Sequence, residues 1–187
     1  MLAIFAVLIA AIAWGVISRR GDGDPKAAPV GPIGAPATTQ ASTPGVADRP
    51  PALINTGEDW DAIVRSMVAY SDWLYLHPKP ELLDAFALPS TPSYADTKLG
   101  LTNLATKGWR YDPPRAPTTV EIVRLNSRIN ATSTAVFVRF GASPQYRVVD
   151  QSGAEVANTP ATTVGQSFIW TLVQKDGRWY LSDVDAL

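Results

Sequence analysis

The apolar positions of this chain change period along its length. They open as one unbroken run: MLAIFAVLIAAIAWGVIS, Met1 to Ser18, carries no charged side chain. From Trp60 they recur at helical spacing. Trp60, Ile63, Val64, Met67, Val68 and Leu74 take one side, and Asp61, Arg65 and Asp72 the other. Thr56 and Asp59 stand ahead of this helix at capping-box spacing. His77 before Pro78 ends it, because a residue preceding proline avoids the α region. A short second helix is predicted from Pro80, with Leu82, Leu83 and Phe86 as its apolar side. A third is predicted over SYADTKLGLTNLATKGW. Ser93 and Asp96 have capping spacing there, Leu101, Leu104 and Ala105 line one side, Lys107 suits the last turn, and Gly108 suits the position after it. The proline-rich run from Pro113 to Pro117 stops everything helical.

Beyond Thr118 the period becomes that of strands. TTVEIVRL, TAVFVRF, QYRVVD, TVGQSFIWTLVQ and RWYLSDV are rich in β-branched and aromatic residues, and polar turns separate them. Ser152-Gly153 and Asp176-Gly177 are hairpin signals, the second flanked tightly by apolar runs. Phe168, Trp170 and Leu172 share one strand face, and Ile169 and Val173 share the other. A strand apolar on both faces is covered on both, so helices account for one face and something else for the other. Helices followed by antiparallel strands make an α+β layout.

The opening run is read as a membrane anchor. A bilayer core takes about 20 apolar helical residues, and Trp14 sits where an indole reaches the headgroups. The rival is a cleaved signal peptide, but no charged leader precedes the run, and its small-x-small triplet, Ala11-Ile12-Ala13, lies inside it. Arg19, Arg20 and Lys26 follow the span, and by charge bias alone they would hold the rest of the chain in the cytoplasm. Residues 19–52 are rich in Pro, Ala and Gly, and no aromatic occurs between Ser18 and Trp60. Such a segment buries too little apolar surface to offset chain entropy and is expected to be a disordered, semi-stiff tether. The organisation is therefore anchor 1–18, tether 19–52 and domain 53–187.

Composition narrows function mainly by exclusion. Lys and Arg number 16 against 17 Asp and Glu, a formal charge of −1, so the clustered positive charge of a nucleic-acid footprint is missing. With 0 cysteines and 1 histidine, disulfides, thiolate sites and multi-histidine metal sites are ruled out. No cofactor is expected. No acid–base pair has a recognisable spacing, and no nucleophile elbow or phosphate loop is present. Trp109, Trp170 and Trp179 read as core aromatics, His77 as a helix-end residue, and Asn130-Ala131-Thr132 as a turn.

The order of helices then strands, closing on the hairpin VQKDGRWYLSDV, resembles the NTF2-like superfamily over residues 53–187. That resemblance implies a cone: N-terminal helices packed on a curved antiparallel sheet. Anchor, proline-rich tether and such a domain together resemble Mce-associated membrane proteins of actinobacteria and the inner-membrane scaffold subunit of type IV secretion and conjugation systems. Both imply a bacterial, single-pass membrane protein whose C-terminal domain works outside the cytoplasm, against the charge bias. They also imply a non-catalytic scaffold role, with an envelope protein or a second copy as partner. Ile169, Val173, Tyr180 and Val184 are the candidate interaction residues. The alternative is a small-molecule pocket inside the cone, for which Tyr111, Tyr146 and Asp183 are the candidates; a catalytic cone is a weaker alternative still.

Overall fold

A computed structural model describes residues 49–112, 120–141, 146–159 and 165–187. The proposed anchor, nearly all of the tether and the proline-rich run from Pro113 lie outside the described residues. No helix among the described residues is long and apolar enough to cross a membrane.

Helix α1 spans Trp60–Leu76. Its N-cap is Asp59, whose carboxylate accepts a hydrogen bond from the Ala62 amide at 3.1 Å. The capping box expected from Thr56 is therefore corrected: Asp59 itself caps the helix. Asp61 and Arg65, one turn apart, pair at 2.7 Å on the solvent side. His77 is the C-cap, and its ring stacks on Trp73 at 4.5 Å. The short second helix is a 3-10 helix, Pro80–Ala85, with Leu83 buried beneath it.

Helix α2 spans Pro92–Lys107. Thr91 caps it, its hydroxyl accepting from the Tyr94 amide at 3.3 Å, and Pro92 fills the first turn. This corrects the cap expected at Ser93. Gly108 ends the helix in the left-handed region at φ +65°, as the sequence predicts.

The described strands form two antiparallel sheets rather than the single curved sheet expected. The larger has the order β2-β3-β6-β7, built from Val120–Asn130, Ser133–Phe140, Gln166–Lys175 and Arg178–Ala186. The smaller has the order β1-β4-β5, from Arg110–Asp112, Tyr146–Val149 and Glu155–Thr159. The two strands unseen in the sequence, β1 and β5, belong to the small sheet. One is three residues long, and the other, EVANT, has too few apolar positions to show a period.

The main core lies between the larger sheet and the helices. Val136, Val138, Phe168, Trp170, Leu172 and Val184 meet Ile63, Met67, Leu74, Leu83 and Phe86 there. A second cluster, centred on Leu104, Tyr111 and Val148, joins the small sheet to the ends of α1 and α2. Turn chemistry sets the closing hairpin: Asp176 and Gly177 both take positive φ, +53° and +74°. Two consecutive left-handed residues are what a type I′ turn requires.

The outer strand β7 does not leave its edge open. The Trp179 amide donates to the Asn55 carbonyl at 2.7 Å. The Leu181 amide donates to the Phe86 carbonyl, and the Leu181 carbonyl accepts from the Leu88 amide, each at 2.8 Å. Segments before α1 and after the 3-10 helix thus take up ladder groups that would otherwise template another strand.

Candidate functional site

Register assigns the side chains of β3, β6 and β7 to the two faces of the larger sheet. Trp170 pairs with Val184 and Leu172 with Leu181 on the helix-covered face. Val173 pairs with Tyr180 on the other face, and Phe137 pairs with Ile169 beside them. Phe137, Ile169, Val173 and Tyr180 are half-buried and belong to neither hydrophobic cluster. The Arg139 guanidinium lies 5.6 Å from the centre of the Phe137 ring and 3.4 Å from Glu121.

Three of the four interaction candidates, Ile169, Val173 and Tyr180, therefore share the outer face. Val184 does not, and its placement is corrected. Strand alternation would put it with Tyr180, four residues earlier. The pairing slips between Thr171 and Leu172, whose partners are Asp183 and Leu181, so Ser182 is an extra residue. This β-bulge reverses the alternation and turns Val184 into the core, 2% exposed.

Of the pocket candidates, the fold brings Tyr111 and Tyr146 together, ring to ring at 6.1 Å and nearly perpendicular at 74°. Asp183 lies elsewhere. It accepts from the Ser93 hydroxyl and the Val184 amide, each at 2.9 Å, tying β7 to the first turn of α2. Tyr75 of α1, which sequence reasoning missed, packs against Tyr111 from the other side at 5.4 Å and 79°. The result is an edge-to-face ladder, Tyr75–Tyr111–Tyr146, running from α1 across β1 to β4.

Asp72 stands one helical turn before Tyr75. It keeps an exposed surface, yet the protein crowded around it pushes its carboxyl up to about 6. Burial, and then the charge of Asp72, raise the Tyr75 hydroxyl above its usual range. Burial raises Tyr111 as well, with Tyr75 and Tyr146 adding to the effect. Helical spacing shows Asp72 and Tyr75 as neighbours at i and i+3. What the sequence conceals is that a separate sheet packs against that end of the helix.

On the core side of Tyr75 a cavity of about 30 Å³ is lined by Tyr94, Phe86, Trp170, Leu181 and Val184 among others. It has room for a water molecule or two and not for a drug-sized ligand. Beside it, the Tyr94 hydroxyl donates to Asp84 and accepts from the Lys98 ammonium at 2.7 Å, which fastens α2 to the 3-10 helix. No group of three or more His, Cys, Asp or Glu side chains suited to a metal occurs among the described residues.

No family model matches the chain, and no curated protein matches its sequence. Solved structures do match in shape. The intermembrane-space region of the chloroplast protein ARC6 aligns at TM-score 0.46 and 13% identity, covering 63% of this chain and 85% of that one. A putative calcium/calmodulin-dependent protein kinase II association domain from Xanthomonas campestris aligns at TM-score 0.36 and 10% identity, covering 72% and 94%.

Proposed function

We propose that the protein is a non-catalytic interaction module on a membrane tether, and that it presents the outer face of its larger sheet to a protein partner. The observation that carries this reading is the row Phe137, Ile169, Val173 and Tyr180, half-buried and outside both hydrophobic clusters. Apolar side chains left only half-covered, outside the core, are candidates for a contact site. The apolar run at Met1 to Ser18 and the proline-rich stretch after it support the tether. Holding a weakly binding face near a bilayer raises its effective concentration without any new contact.

The finer identification belongs to the same proposal. The order of helices and antiparallel strands, closing on a tight hairpin, supports an NTF2-like cone. Anchor plus tether plus cone supports a place in a bacterial envelope assembly such as Mce-type transport, secretion or conjugation, with the domain outside the cytoplasm. The cavity of about 30 Å³ beside Tyr75 is too small for a drug-sized ligand. The partner is an envelope protein or a second copy of the chain.

Replacing Ile169 and Val173 with Asp in the full chain tests the reading. Association, followed by cross-linking in the native membrane, is expected to disappear while circular dichroism keeps its helix and sheet signals. Association that survives both substitutions unchanged would overturn it. A reporter active only in the cytoplasm, fused after Leu187, would overturn the orientation alone.

A further inference from the structure

Charge divides the outer face of the larger sheet into two ends. At the closing hairpin Lys175 stands directly opposite Arg178, next along the ladder from the outer pair Val173 and Tyr180. Six residues back along β6, about 20 Å at the rise of a strand, Ile169 stands opposite Asp185. Lys175, Arg178 and Asp185 are exposed, and none of the three side chains forms an ion pair or hydrogen bond among the described residues. Asp176, in the turn, pairs with neither base, so the hairpin end carries one positive charge in excess and the other end one negative charge. The remaining charges nearby are engaged, Arg139 with Glu121 and Asp183 with the Ser93 hydroxyl. Two bases facing each other across a ladder oppose strand pairing, so folding gives no reason for them. Between the two ends lies the half-buried apolar row of Ile169, Val173 and Tyr180.

A surface positive at one end, negative at the other and apolar between is complementary to itself. On the reading of this face as the contact surface, we infer that its occupant is a second copy of the chain, related by a two-fold axis. That axis lies in the interface and crosses the strands between Thr171 and Val173. A two-fold interface uses the same patch on both copies, so each contact is made twice. An axis along the strands would lay basic end on basic end. The axis across the strands reverses the direction of the second copy and sets Arg178 of each copy over Asp185 of the other. Both unpaired ends are then neutralised by one operation, and the apolar rows meet at the centre. Sheets stacked face to face lie about 10 Å apart with strand axes within about 30°, a separation that arginine and aspartate side chains span together. A flat anionic surface such as a lipid headgroup layer matches the basic end alone and is repelled by Asp185.

Two differently tagged copies of the full chain, made in one membrane and purified through one tag, test the inference. Unaltered copies are expected to co-purify. Arg178→Asp paired with itself, and Asp185→Arg paired with itself, should each reduce co-purification by about tenfold or more, because like charges then meet at both contacts. Arg178→Asp paired with Asp185→Arg should restore it, since both contacts again join opposite charges. That recovery also shows that each variant folds. Unaltered copies that do not co-purify, or a mixed pair no better than either variant with itself, would overturn the two-fold arrangement. In that event, capture of a different protein from position 169 by photo-cross-linking would leave the outer face standing as a contact surface. Capture of nothing from position 169 would remove both readings.

Discussion

Tyr180 and Val184 stand four residues apart on one strand and face opposite sides of its sheet. Tyr180 sits beside Val173 on the outer face, and Val184 beside Trp170 in the core. The single extra residue Ser182 separates the two arrangements. It also lies next to the point where Leu181 exchanges hydrogen bonds with Phe86 and Leu88 across the strand edge.

Substitutions at the two residues should accordingly have opposite consequences. Val184→Ala removes buried methyl groups and is expected to cost about 2 kcal/mol of stability. Tyr180→Ala is expected to leave stability within about 0.5 kcal/mol. Deleting Ser182 restores simple alternation, which forces either Tyr180 inward or Val184 outward. Urea unfolding of the three variants checks this, and the deletion is expected to lose the cooperative transition.

The closing turn offers a second check. Gly177 holds φ +74°, where a Cβ is strained but meets no neighbour. Gly177→Ala should therefore destabilise through backbone strain alone, by about 1 to 2 kcal/mol. Gly177→Asn, which tolerates the left-handed region, should recover most of that loss. Thermal melts of the pair would show it.

Asp72 gives a dependence on pH. Its folded pKa of about 6 lies above the ordinary 3.8, so the folded chain holds this proton more tightly than the unfolded one. Stability from this group is present at about pH 4, declines as pH rises towards 6, and is absent above that. Asp72→Asn removes the dependence and should stabilise the protein at pH 7. Because the side chain is exposed, solvent screening holds the gain to ~1 kcal/mol or less. Melting temperatures of both proteins from pH 4 to pH 8 should differ most at the alkaline end and converge at the acid end.

The folded unit should survive loss of what precedes it. Leu53 packs against the main core, and Ile54 exchanges backbone hydrogen bonds with the Ser66 hydroxyl at 2.9 Å in both directions. Residues 53–187 expressed alone should melt cooperatively. Starting instead at Glu58 deletes Asn55 and Gly57, whose carbonyls accept from the Trp179 amide and indole at 2.7 and 2.8 Å. That shorter chain should melt lower by several degrees.

Local signals in the sequence translated well into local structure. Helical spacing located α1 and α2, Gly108 ended α2, and Asp176-Gly177 made the turn it specifies. The helix caps shifted by a few residues, because the side chains that accept from first-turn amides are Asp59, from Ala62, and Thr91, from Tyr94. The small sheet and the bulge were not legible. EVANT has no apolar period to read, and the extra residue Ser182 sits beside the point where Phe86–Leu88, a segment distant in sequence, reaches the strand edge. Of the candidate pocket residues, Tyr111 and Tyr146 lie ring to ring, whereas Asp183 is bound to Ser93 at another place in the fold. The tie of Asp72 and Tyr75 to that pair depends on a sheet packing across the end of α1, which periodicity along the helix does not express.

The claim that the outer sheet face is the working surface is tested most directly by placing a photo-reactive amino acid at single positions of the full chain in its native membrane. Position 169 reports the outer face, and position 103, exposed on α2, serves as the control. A discrete adduct from position 169, absent at 103 and lost when Val173 is changed to Asp, is the predicted result. Equal adducts from both positions, or none from 169 while 103 captures a protein, would contradict the account.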